Sequence, residues 1–117
     1  MKITDVKVHI LQSKLEQPFA FSQGWVRVRS ATIVEIHTDA GLIGWGEAFT
    51  QGLESPQIAA STIEYSLKPL VLGENPKNVE VLWHSMYNQT RDFGRKGSVM
   101  AAISGIDIAV WDILGKF

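Results

Sequence analysis

The segment from Ser98 to Leu114 constrains the fold more than any other. Wound as a helix, it places Val99, Met100, Ala101, Ala102, Ile103, Ile106, Ile108, Ala109, Val110, Trp111, Ile113 and Leu114 around nearly the whole circumference. A helix that is apolar all round has to be enclosed on all sides. The rest of the 117 residues offers a small sheet and two other helices for that purpose. These are expected to cover one or two faces and to leave an apolar patch for further protein to pack against. Ser98 reads as the cap of this helix and Gly115 as its stop. Asp107 and Asp112 lie about 140° apart around the axis, so they do not make a paired-carboxylate site. Each is expected to pair locally or to cap something at the helix rim.

The segments before it are strands first and helices second. Val6, Val8 and Ile10 alternate with Lys7, His9 and Leu11, which predicts a strand with one buried face. A second strand runs from about Trp25 to Thr38, its even positions rich in β-formers and its odd positions wetter. Asp39-Ala40-Gly41 is a hairpin turn, and Leu42 to Phe49 returns as a third strand. Gly44 and Gly46 inside that strand signal a bulge or the close approach of another backbone. Ser55-Pro56 then starts a helix carrying Ala59, Ile63 and Leu67, which Pro69 is expected to limit. Asn75-Pro76 starts a second, with Val79, Leu82, Trp83, Met86, Tyr87 and Thr90 on one face. Arg91 to Gly97 reads as a basic, glycine-containing loop. The class is α+β: a three-stranded antiparallel meander followed by three helices on one face.

Composition excludes several functions. No cysteine is present, which removes disulfides, thiol catalysis and cysteine zinc sites. A formal net charge of −1 gives no electrostatic pull on nucleic acid. Charges interrupt every apolar run, so no membrane span is expected, and a soluble cytoplasmic protein is the default. His9, His37 and His84 fall on separate elements without ligand spacing, so they are read as solvated or rim histidines. Gly41, Gly44 and Gly46 sit in a hairpin and its return strand, not at the strand-to-helix turn that a phosphate loop requires. Arg91, Arg95 and Lys96 could hold an acid group of a ligand or form a solvated loop. No serine stands in a nucleophile elbow.

Two loops stand out. Pro18 to Trp25 carries Phe19, Phe21 and Trp25 among glycine and proline, and Phe49 to Glu54 leaves the third strand. Aromatics there either fill the domain's own core or close over something else.

The strings VEIHTDAGLIGWGEA (Val34 to Ala48) and GSVMAAISGIDIAVWDILGK (Gly97 to Lys116) resemble the N-terminal capping domain of the enolase superfamily, in the mandelate racemase and muconate lactonizing enzyme branch. The resemblance covers the whole chain, 1–117. LWHSMYNQTRDFGRKG followed by AISGIDIAVWDI is similar to acid-sugar enzymes of that branch, galactarolactone cycloisomerases and sugar-acid dehydratases.

The resemblance implies a function shared between two domains. In the family a following (β/α)-barrel supplies the acidic Mg²⁺ ligands and the bases that take a proton α to a carboxylate. The cap excludes water and reads the far end of the substrate through its first two loops. Carried over, substrate-facing residues would be Phe19, Phe21, Ser22, Gln23 and Trp25 in the first loop, and Phe49 and Gln51 in the second. The sequence ends at Phe117 without a barrel strand, base or metal-ligand set. No catalytic residue and no metal ligand is therefore expected in this chain. Catalysis, Mg²⁺ and an acid-sugar substrate would belong to a longer parent, expected to be a homo-oligomer. The alternative is a free-standing module that docks a partner through the apolar C-terminal helix.

Overall fold

A computed structural model describes residues 1–117. Three strands form one antiparallel sheet in the order β1 (Ile3–Phe21), β2 (Gly24–Thr38) and β3 (Ile43–Ala48). A helical rod follows as α1 (Pro56–Ser61), a π-helical turn (Thr62–Leu67) and α2 (Lys68–Val71). Then come α3 (Val79–Gly94) and α4 (Ser98–Lys116). The expected meander and three helical rods are thus present.

The β2–β3 turn has the anticipated form. Gly41 takes φ +77°, and its N–H donates to the Thr38 carbonyl at 3.1 Å. The Leu42 N–H donates to Thr38 Oγ1 at 3.1 Å, which closes the turn through a side chain.

The glycines of β3 allow α4 to lie directly on the sheet. A Cβ at Gly44 would fall 2.1 Å from the Ala109 carbonyl oxygen, and one at Gly46 would fall 2.1 Å from that of Gly105. Gly105 answers from the helix side, where a Cβ would meet the Ala48 N at 3.0 Å. Helix backbone therefore touches strand backbone, the close approach that the strand glycines predicted. Asp112 completes the joint. Its carboxylate accepts from the Trp45 N–H at 2.8 Å and from Lys116 Nζ at 2.6 Å.

Around that joint, the core gathers Val6, Val34, Ile36 and Ala48 from the sheet and Ala59, Ile63 and Leu67 from the first rod. Leu82 and Met86 of α3 join Ile103, Ile106, Ala109, Val110 and Ile113 of α4. More of α4 is covered than its apolar circumference suggested. The open remainder is one stripe, with Ile108 at 46% and Trp111 at 58% exposure. By length and a mean hydropathy of 1.5, α4 could cross a membrane. Seven of its residues are instead buried in the domain core.

Several local expectations need correction. β1 runs ten residues past the alternating segment, because its outer half pairs with β2 while being exposed or only half-buried at every position, so alternation carries no signal. Pro69 does not end the first rod. The Lys68 N–H reaches back five residues to the Ile63 carbonyl, and this wider turn accommodates a residue with no N–H to give. Ser55 makes no cap bond and turns to the Gln57 side chain instead. Asn75-Pro76 forms an Asx turn, with the Lys77 N–H on Asn75 Oδ1 at 3.0 Å, and α3 begins only at Val79. Arg91 belongs to α3, and α4 continues through Gly115. Asp112 pairs locally as expected. Asp107 does not: burial alone pushes its carboxyl above the ordinary range.

Gly46→Ala is expected to cost about 3 kcal/mol, because the new methyl meets backbone that cannot step aside. Urea denaturation at equal m-value tests this, and an unchanged midpoint would contradict the contact. The two helix aspartates should respond oppositely. Lys116, with help from the Trp45 N–H, holds the Asp112 carboxyl below its usual range. That stabilisation is present near neutral pH and lost as pH falls through the lowered value. Asp112→Asn should therefore lower the urea midpoint at pH 7 and matter progressively less in acid. Asp107→Asn should raise the midpoint at pH 7, since it removes a charge that burial penalises.

Candidate functional site

Beyond Thr32, β2 has no third strand beside it, so β1 and β2 continue as a two-stranded ribbon. Pairs Phe19–Val26, Ala20–Trp25 and Phe21–Gly24 close it, with Ser22 and Gln23 as the tip. The expected aromatic loop is thus the end of a hairpin. Cross-strand partners share a face. Phe19, Phe21 and Val26 therefore lie on the helix side of the sheet, and Trp25 lies on the opposite side with Ala20. The three aromatics form no single cluster, contrary to what a loop would have allowed. Trp25 is 59% exposed with the Arg27 guanidinium 5.8 Å from its ring centre, and Arg29 sits 5.0 Å from that of Phe19. A free two-stranded ribbon is marginal in water, so its attachment matters.

The segment after β3 supplies that attachment. Leu53 lies against Gly24, where a Cβ would come within 3.3 Å of its Cδ1, and Gly52 packs on Val26. Both sequence-predicted loops therefore meet at one end of the domain. Phe49 is 68% exposed there. Gln51 is turned partly inward: its Oε1 accepts the Leu53 N–H at 2.9 Å, which leaves its NH₂ as the free donor. The Glu54 N–H donates to the Gln51 carbonyl at 2.8 Å. Phe49, Gln51 and Glu54 share a pocket of about 380 Å³ with Gly97, Ser98 and Ala101 at the start of α4. The Glu54 carboxylate joins the two sides, accepting from the Gln51 N–H at 3.0 Å and from the Ser98 hydroxyl. Ser98 read as a helix cap in sequence, and no local pattern links positions 44 residues apart.

Other chemistry-bearing groups fall elsewhere. On the outer sheet face Glu35 accepts from His9 and His37, each at 2.6 Å, and the His9 bond chiefly holds its carboxyl below the usual range. His84 is exposed and edge-on to Trp83. Arg91 and Arg95 border an open polar pocket with Tyr87 and Asp92. No three His, Asp or Glu side chains converge in a way that could hold a metal ion. The residues of this chain therefore do not fit a divalent-ion site.

Residues 3–117 match the family described as mandelate racemase / muconate lactonizing enzyme, N-terminal domain. The chain belongs to that family. It is 37% identical over 116 residues to D-galactarolactone cycloisomerase of Agrobacterium fabrum, a match covering 99% of this chain and 29% of that protein. It is 47% identical over 83 residues to arabinonate dehydratase of Saccharolobus solfataricus, covering 70% of this chain and 21% of the relative. Among solved structures, a racemase from Streptomyces coelicolor with bound magnesium superposes with a TM-score of 0.90 at 26% identity, covering 97% of this chain and 32% of that one. The chain thus spans less than a third of the length of each. Its fold is that of an enolase-superfamily N-terminal domain, and its relatives are enzymes.

Because Trp25 and Phe49 lie outside the core, replacing either with Ala should change folding stability by no more than about 0.5 kcal/mol. Ile106→Ala should cost about 2–5 kcal/mol. Denaturant midpoints of the three variants check this. A large loss at Trp25 or Phe49 would show that these rings hold the fold.

Proposed function

We propose that residues 1–117 form the substrate-capping domain of a longer, cytoplasmic, Mg²⁺-dependent enzyme that removes the proton α to the carboxylate of an acid sugar. One observation carries this reading. The ribbon tip and the 49–54 loop lie together at one end, and they display aromatic rings that the domain's own core does not use. Such rings suit a surface that closes over a ligand and excludes water. The relatives' names supply the substrate class.

An α-proton beside a carboxylate is only weakly acidic, so its removal needs the developing oxyanion to be held by a cation. That ion and the proton-transfer bases would be held outside residues 1–117. Within the chain, Phe19, Phe21 and Phe49, with Trp25 from the other face of the ribbon tip, would shield the site, while Ser22, Gln23 and the Gln51 NH₂ would hydrogen-bond substrate hydroxyls. The open Ile108–Trp111 stripe on α4 would meet the catalytic barrel, and the parent would assemble as a homo-oligomer. Dehydration, racemisation and cycloisomerisation would differ by the bases that the barrel sets on each side of the substrate.

The test uses the barrel-bearing protein with Mg²⁺ against a panel of acid sugars that includes D-galactarolactone and arabinonate. Turnover of at least one is expected, abolished by EDTA and restored by Mg²⁺. Trp25→Ala should lower kcat/KM by roughly tenfold or more. Failure to turn over any acid sugar would overturn the assignment, and an unchanged kcat/KM would remove Trp25 from the substrate-facing surface.

A further inference from the structure

The pocket between the 49–54 loop and the start of α4 is held by one side chain. Glu54 spends its two carboxylate oxygens on different elements. One takes the Gln51 N–H at 3.0 Å, and the other takes the hydroxyl of Ser98, the first residue of α4. Within itself the loop is tied by Leu53 N–H on Gln51 Oε1 and Glu54 N–H on the Gln51 carbonyl, and it meets β2 through a 3.4 Å Thr50–Thr32 hydroxyl contact and the packing of Leu53 and Gly52 on Gly24 and Val26, but Glu54 makes its hydrogen bond to α4. Helix α4 is fixed on the sheet by its backbone contact with Gly44 and Gly46, so its first turn is a rigid anchor. A carboxylate at a helix start is also favoured by the helix dipole. Hydrogen bonds to a charged acceptor are stronger than neutral ones.

We propose that Glu54 is a positioning residue: through Ser98 it clamps the 49–54 loop to α4 and so sets where Phe49 and Gln51 meet the substrate. This rests on the capping reading above. Glu54 itself need not touch substrate, because both of its oxygens are already engaged. The preceding Gly97, at φ +76°, lets the chain enter α4 with Ser98 facing the loop.

The experiment compares Ser98→Ala, Ser98→Thr and Glu54→Ala in the barrel-bearing protein, with Mg²⁺ and the acid sugar that the parent turns over fastest. Two readouts are taken: amide hydrogen exchange at Gln51, and the split between KM and kcat. Ser98→Ala and Glu54→Ala should speed Gln51 exchange and raise KM by about tenfold each, with kcat within about twofold. Ser98→Thr keeps the hydroxyl and should stay near wild type in both, which separates the clamp from a general folding defect. Unchanged Gln51 exchange in Ser98→Ala would overturn the clamp whatever the protein's activity. Faster exchange with unchanged KM would overturn the link to substrate and count against the loop's capping role, while leaving the tie itself standing.

Discussion

Backbone contact between β3 and α4 is the constraint on which the rest of the domain depends. At Gly44 and Gly46 there is no room for even a methyl group, because helix carbonyls already occupy that space. The helix is therefore fixed in height and rotation against the sheet, and the Asp112 bond to the Trp45 N–H fixes its position along the strand. From that one placement, six side chains of α4 become the centre of the core. Ile108 and Trp111 become the stripe that stays open. A looser joint would spread the apolar surface of α4 differently and would move its first turn, where the 49–54 loop is attached.

The same contact connects the core to the end of the domain that carries the exposed aromatics. Ser98 opens α4, Glu54 links Ser98 to the loop, and Leu53 and Gly52 press against Gly24 and Val26 of the ribbon. The ribbon, which would be marginal alone, thus gains its support from a loop that is itself anchored on a rigid helix. A rigid scaffold below thus holds exposed aromatic rings above without building them into the core.

Much of this was legible in the sequence where burial imposes a period. The α3 face from Val79 to Thr90, the Gly41 turn and the close approach at Gly44 and Gly46 all stand as read. So does the family, which two strings of residues carried and residues 3–117 match. What escaped notice is set by contacts distant in sequence or by unburied backbone. The outer half of β1 has no buried face, so no alternation marked it as strand. The register that sends Trp25 to the face opposite Phe19 follows from a shift in pairing between Lys14 and Phe19. Pro69 read as a stop, because a π-helical turn leaves no signature in residue type. Glu54 and Ser98 each have an ordinary local reading, and only the fold brings them together.

The most direct test of the capping claim is a crystal structure of the barrel-bearing protein with Mg²⁺ and an acid sugar bound. Phe49, the Gln51 NH₂ and at least one ring from the ribbon tip should lie within about 4 Å of the sugar, van der Waals or hydrogen-bonding reach. A sugar enclosed by the barrel alone, with the ribbon tip and the 49–54 loop turned to solvent, would contradict it.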